Sequence, residues 1–114
     1  MSSSGIDFSR IQEVSRGDRE FENELFNAYL NDCDAGLSAL LQAVEIGDLD
    51  SARKCAHAIK GASINIGTTR LHEYAHAIES SEAIQESQID TTILTAFQVA
   101  YDEVKIAIRT YINE

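Results

Sequence analysis

Apolar side chains return every three or four residues along most of this chain, and only glycine interrupts the pattern. Phe26, Tyr29, Cys33, Leu37, Leu40 and Val44 form one such series. Steps of three and four put all six on one side of an α-helix but scatter them over both faces of a strand, so the segment is committed to helix. Leu71, Ala75 and Ile78 form a second series, and Ile93, Phe97, Ala100, Val104, Ile108 and Tyr111 a third. There is no proline, no Asn-Gly or Asp-Gly hairpin pair, and little period-two alternation. The breaks are Gly17-Asp18, Gly47-Asp48 and Gly67-Thr68, each a glycine that can end a helix and a polar residue that can cap the next.

These signals predict a short helix over about 7–15 and long helices over about 19–46, 49–66, 69–85 and 91–112, the last capped by Asp90. Four long amphipathic helices on short connections fold as neighbours of alternating direction. The expected architecture is all-α: an up-down-up-down antiparallel four-helix bundle with an additional short N-terminal helix. Residues 7–114 then form one domain, with 1–6 as a flexible tail. A filled bundle core has no built-in cleft, so chemistry is expected on a helix surface.

Charge narrows the function. The chain has 114 residues, with 9 Lys+Arg against 19 Asp+Glu and a formal net charge of -10. Such a chain repels nucleic-acid phosphates and anionic membrane surfaces, so neither is expected as a partner. No run approaches the roughly 18 apolar residues of a membrane span, and the Ser-rich start lacks the basic and apolar parts of a signal peptide. Cys33 and Cys55 lack disulfide-framework or metal-site spacing and read as buried thiols in a reducing compartment. A cytoplasmic monomer is expected.

The acidity is uneven. From Ser51 through His72 there is no Asp or Glu, while Arg53, Lys54, Lys60 and Arg70 fall within that stretch. On a wheel of about 100° per residue, Ala52, Cys55, Ala56, Ala62, Ser63 and Ile66 gather within roughly 60° of Ile59, a buried face of small residues. His57 lies about 160° away, with Gly61 one turn on beside it and Lys60 on its flank. Arg53 and Ile64 complete that patch. An exposed histidine is usually inert. A glycine on an exposed helix turn, however, costs about 1 kcal/mol relative to alanine, and it leaves the neighbouring imidazole open to an approaching group. A basic surround favours an anion there, and a neutral imidazole, with its reference pKa of about 6.5, can attack a phosphoryl group.

The run Ala56-His57-Ala58-Ile59-Lys60-Gly61-Ala62-Ser63-Ile64-Asn65-Ile66-Gly67 resembles the signature of histidine-containing phosphotransfer (HPt) domains, A-H-x-L/I-K-G-x-S/A-x-x-x-G. The likeness extends to the Gly47-Asp48 break before the motif and to Tyr29 and Asp32 on the preceding helix. It implies a four-helix bundle that relays a phosphoryl group between receiver-domain aspartates through phosphohistidine at His57. Lys60 would offset phosphoryl charge, Gly61 would admit the receiver, and Ser63 and Gly67 would be structural. The implied partners are receiver domains of a hybrid sensor histidine kinase and of a response regulator. Mg²⁺ would come with the receiver, so no cofactor or metal site is expected on this chain. No phosphate-cradling Gly-rich loop or Walker lysine is present, so a phosphocarrier rather than an ATP-using enzyme is implied. Many family members place a glutamine on the next helix against the imidazole Nδ1, and spacing puts Glu79 there. A carboxylate could fix the tautomer and raise basicity at Nε2; the competing reading is a solvated helix glutamate. Ile64 and Arg53, with Phe8 and Ile11 from the first helix, are the expected docking residues.

Two readings compete with the relay. One is a helical adaptor that binds receivers without carrying phosphate, which the intact His57 opposes. The other is a zinc-dependent hydrolase, because His72-Glu73-Tyr74-Ala75-His76 spells H-E-x-x-H. Both histidines are expected to face solvent, with no third ligand and no sheet edge for a peptide. Asp32-Cys33-Asp34-Ala35-Gly36 faintly resembles a calcium loop but lacks its later acidic ligands, and reads as helix surface.

Overall fold

The computed structural model describes residues 6–80, 84–85, 88–89 and 91–113. Their elements are α1 (Phe8–Ser15), α2 (Arg19–Ile46), α3 (Leu49–Ile66), α4 (Thr69–Glu79), the two-residue strands β1 (Ile84–Gln85) and β2 (Gln88–Ile89), and α5 (Thr91–Ile112). Aspartates start the first three helices: Asp7, Asp18 and Asp48 each accept a backbone N–H of the first turn, from Ser9, Phe21 and Ser51 at 3.0–3.1 Å. Gly47 and Gly67 end α2 and α3 in the left-handed conformation, at φ 78° and 98°.

The helices pack as the sequence predicts. Each of α2 to α4 lies against the next helix, and α2 meets α5 to close the bundle. The 28 residues of α2 extend about 42 Å, most of the molecule's 48 Å long axis. Where α2 crosses α3 the backbones come close. A β-carbon at Gly36 would stand 3.2 Å from Ile59 Cγ1. Ala52, Ala56 and Ser63 on the facing side of α3 are fully buried. Behind them Phe26, Leu40, Leu71, Ile78, Phe97, Tyr101 and Ile108 fill the centre. Asp32 to Gly36 is ordinary helix within α2.

The structure corrects four expectations. First, α4 stops at Glu79 rather than Gln85. Ser80 leaves the helical region at ψ 173°, and Ile84–Gln85 pairs with Gln88–Ile89 antiparallel. The sequence puts Ser80 and Ser81 there, residues whose hydroxyls compete for helical backbone groups. The proposed cap Asp90 lies outside the described residues.

Second, Ile6 belongs to the core rather than to a tail, at 2% exposure. Its neighbour Asp7 donates its N–H to the Gly67 carbonyl at 2.8 Å. A β-carbon at Gly67 would meet the Asp7 carbonyl at 2.6 Å, so this glycine serves both its own φ and the close passage of the N-terminal segment. Residues 1–5 lie outside the described residues.

Third, the apolar face of α1 turns inward. Ile11 is buried at 1% exposure. Phe8 stacks on Tyr111 at 4.4 Å and meets Phe26 edge-on at 5.8 Å. Burial removes Ile11 from any docking surface, while Phe8 is half-buried and lines a pocket with Gly67, Thr69 and Tyr74. Fourth, Cys33 is buried but Cys55 only partly so. Burial pushes the Cys33 thiol up to about 11, which keeps it protonated and unreactive.

Candidate functional site

Helix α3 carries His57 on the side opposite its alanine face. The imidazole is 70% exposed, the most open of the side chains in the motif's ion pairs. Gly61, one turn on, has nothing within 4 Å of where its β-carbon would lie. The fold therefore has room for a side chain at Gly61, and the glycine leaves that room empty beside the ring. Ile64, a further turn portion along, is 39% exposed. Ser63 points the other way and meets the Tyr29 hydroxyl at 3.1 Å inside the bundle, which ties the back of the motif to α2.

Helix α4 supplies the missing partner. Glu79 Oε1 lies 3.0 Å from His57 Nδ1, and Oε2 lies 2.7 Å from Lys60 Nζ. One carboxylate thus bridges the histidine and the lysine of the motif, and the solvated reading of Glu79 does not apply. The Lys60 ammonium first, then the His57 ring, hold its carboxyl below the usual range, so it is ionised at neutral pH. A carboxylate accepts, so Nδ1 carries the proton in a neutral ring and the Nε2 lone pair is left for chemistry. Lys60 and Glu79 are themselves mostly covered, at 21% and 27% exposure. His72 helps to seat them: its Nδ1 lies 3.4 Å from the Lys60 carbonyl, against α3 rather than facing solvent.

The carboxylate-free stretch of the sequence is not carboxylate-free in space. Lys60 pairs with Glu79, Arg53 with Asp50 at 3.6 Å, and Arg70 with Glu103 at 3.3 Å. Three of the four cations in that stretch are therefore paired with carboxylates, and the field around His57 is less positive than the sequence alone suggests. Arg53 remains on the surface of α3, with its guanidinium drawn toward Asp50.

Among the expected site residues, the fold brings together His57, Lys60, Gly61 and Glu79, with Ile64 and Arg53 along the same helix. Phe8 and Ile11 do not join them. Helix α1 still reaches this neighbourhood, through its polar side. Ser9, Arg10 and Glu13 line a groove of about 320 Å³ beside Ile64, Gly67 and Thr69. Arg10 Nε donates to the Asn65 carbonyl at 3.3 Å, which fixes α1 to the end of the motif helix. Sequence reasoning missed Arg10 and Glu13 because it sought apolar residues. Their signal was position alone, on the face of α1 opposite Ile11.

At His72 and His76 the described residues assemble no group of three or more His, Cys, Asp or Glu able to hold a metal ion. Nor is any helix among the described residues long and apolar enough to cross a membrane.

Comparison with known proteins agrees with this geometry. The fold is similar to the crystal structure of histidine-containing phosphotransfer protein B (HptB) from Pseudomonas aeruginosa PAO1, with a TM-score of 0.85 over 98% of this chain and 97% of that one at 21% identity. No curated protein sequence gives a significant match. The family model of the Hpt domain matches residues 24–110, which include His57, Lys60, Gly61 and Glu79. The chain therefore belongs to the Hpt domain family.

Proposed function

We propose that this protein is a phosphocarrier that takes a phosphoryl group from the aspartate of one receiver domain onto His57 Nε2 and yields it to the aspartate of another. The observation that carries the reading is the exposed imidazole whose Nδ1 is engaged by Glu79 at 3.0 Å, which leaves Nε2 as the free nucleophilic nitrogen. In the first transfer Nε2 attacks phosphorus in line as the bond to the aspartyl oxygen breaks. Lys60, which shares the Glu79 carboxylate with His57, offsets charge on the phosphoryl oxygens. Gly61 lets the receiver's active site come down over the ring, and Ile64 and Arg53 contribute to its docking. Mg²⁺ is held by the receiver. The donor is a receiver domain of a hybrid sensor kinase and the acceptor that of a response regulator.

The test is to incubate the protein with phosphorylated receivers and look for acid-labile, alkali-stable label. Label on the wild type and none on His57→Gln is the expected result. A receiver that binds the wild type and loses its phosphoryl group only to water would overturn the reading in favour of an adaptor.

A further inference from the structure

A second concave surface lies at the end of the bundle where α3 passes into α4. There the fold holds a cavity of about 610 Å³. Ile6 is buried in its wall, Phe8 and Tyr74 are half-buried there, and Asp7, Arg70 and Glu73 stand exposed around it. We propose that this cavity receives an arginine side chain presented by a partner protein, at a docking surface that leaves His57 open. The proposal goes beyond the phosphocarrier reading and does not depend on phosphoryl transfer.

Charge selects a cation. Asp7 accepts from the Ser9 hydroxyl and backbone N–H through Oδ1 alone. Those bonds, the hydroxyl's first, hold its carboxyl below the ordinary value, so it is ionised at neutral pH. The Glu73 side chain makes no hydrogen bond or ion pair among the described residues, and neither does the Tyr74 hydroxyl. The Arg70 guanidinium beside the cavity is already paired with Glu103 at 3.3 Å. The N-terminus of α4 carries partial positive charge, but this fades within the first turn, and Glu73 lies beyond it. The net charge of -10 attracts a cation over longer range. The rings narrow the choice to a guanidinium. Phe8 is held in place by stacking on Tyr111 at 4.4 Å. An aromatic wall attracts a cation, and a planar guanidinium both stacks on rings and bonds a carboxylate through paired N–H groups. A lysine ammonium is more strongly hydrated and does neither as well.

Position keeps the cavity clear of the imidazole. Gly67, on the cavity wall, follows His57 by ten residues, about 15 Å along α3. Around α4, Arg70, Glu73 and Tyr74 lie about 120–180° from Glu79, which reaches His57 on the other flank. The neighbouring surface favours a protein as the source of the arginine. Asp7, Gly67 and Thr69 border both this cavity and the groove beside Ile64. An extended segment has room to run from one into the other, whereas a small free cation would leave the groove empty.

The experiment follows the amide ¹⁵N–¹H spectrum of the full chain as a blocked peptide is added, with a central arginine flanked by serines and glycines. The amides of Phe8, Glu73 and Tyr74 should shift and saturate, while those of His57 and Gly61 stay in place. The same peptide with citrulline, which has nearly the same shape and no charge, should bind about fivefold more weakly or worse. Glu73→Lys changes an exposed side chain that bonds nothing, and should weaken the arginine peptide by about fivefold or more. Tyr74→Leu keeps apolar bulk but removes the ring, and should weaken it by about threefold. The spectrum itself reports that each variant is folded, and Glu73→Lys should accept a phosphoryl group at His57 as the wild type does. Equal binding of the citrulline peptide, affinity untouched by Glu73→Lys, or shifts centred on His57 would overturn the proposal. Agmatine, a free guanidinium without a peptide backbone, should bind more weakly than the arginine peptide. Equal or tighter binding of agmatine would make this a small-molecule site and refute the protein occupant.

Discussion

Two carboxylates of this molecule do similar bonding in opposite settings. Glu79 joins α4 to α3, accepting from an imidazole and pairing with a lysine, at 27% exposure beside an open surface. Glu22 joins α2 to α1 and α5. It accepts from the hydroxyls of Ser15 and Tyr111, with the Arg19 guanidinium 3.6 Å away, and is 1% exposed. Arg19 also lies over the Tyr111 ring at 4.3 Å and donates to the Tyr111 carbonyl at 2.6 Å, while Gln12 donates to the Tyr111 hydroxyl. The sealed site is satisfied from several sides, and its carboxylate is out of contact with solvent. The open site uses only two partners and leaves one nitrogen of its histidine facing outward. Burial turns one carboxylate toward holding helices together, and exposure leaves the other available to tune a reactive group.

The largest expected effect lies on the sealed side. Glu22→Ala removes the acceptor of two buried hydroxyls and should cost about 1–3 kcal/mol of folding stability, read from the chemical-denaturation midpoint. Phosphoryl acceptance by the remaining folded protein should be unchanged. A mild loss, within the range of surface substitutions, would break the comparison.

Next comes Gly61→Gln on the open side. With nothing within 4 Å of the new β-carbon, the helix should gain up to about 1 kcal/mol of stability as it loses a glycine. Receiver-to-His57 transfer should nevertheless fall by about tenfold or more, the equivalent of roughly 1.4 kcal/mol in the transition state. A stabilised variant with normal transfer would remove Gly61 from the site.

Acid should then test the sealed carboxylate. The Ser15 hydroxyl, with Tyr111 and Arg19, holds the Glu22 carboxyl below its ordinary value of 4.5 despite its burial. Its contribution to stability is complete above that value and is lost as pH falls through the lower, folded one. The difference in stability between wild type and Glu22→Gln should therefore shrink as pH is lowered below 4.5. A gap that widens with acid would reverse the sign assigned here. Smallest of all, Glu79→Gln should lower the thermal midpoint only slightly, because the amide keeps an acceptor for His57 and for Lys60, which retain some solvent. A large drop would mean that Glu79 is structural after all.

Much of this was legible in the chain itself. Steps of three and four residues specified helices, and the Gly-Asp and Gly-Thr breaks placed their ends to within a residue from Arg19 to Thr69. The motif from His57 to Gly67 marked the open face, because helical geometry alone sets which of its residues share a side. Spacing also nominated Glu79, but could not choose between a solvated side chain and a bridge. The two readings differ only in how α4 is rotated against α3.

Tertiary structure decided the rest, for one physical reason. Contacts between helices depend on residues far apart in sequence, and a local pattern carries no term for them. It could not say that Glu79 would fill a carboxylate-free stretch, or that Asp7 would pass within reach of Gly67. Nor could it tell that Ile11 would be buried, or that Phe8 would pack on Phe26 and Tyr111. An apolar face predicts burial, but only the assembled bundle determines what it is buried against. The sequence by itself determined the helices and the histidine; the packing of α4 on α3 determined that its Nδ1 would face a charge.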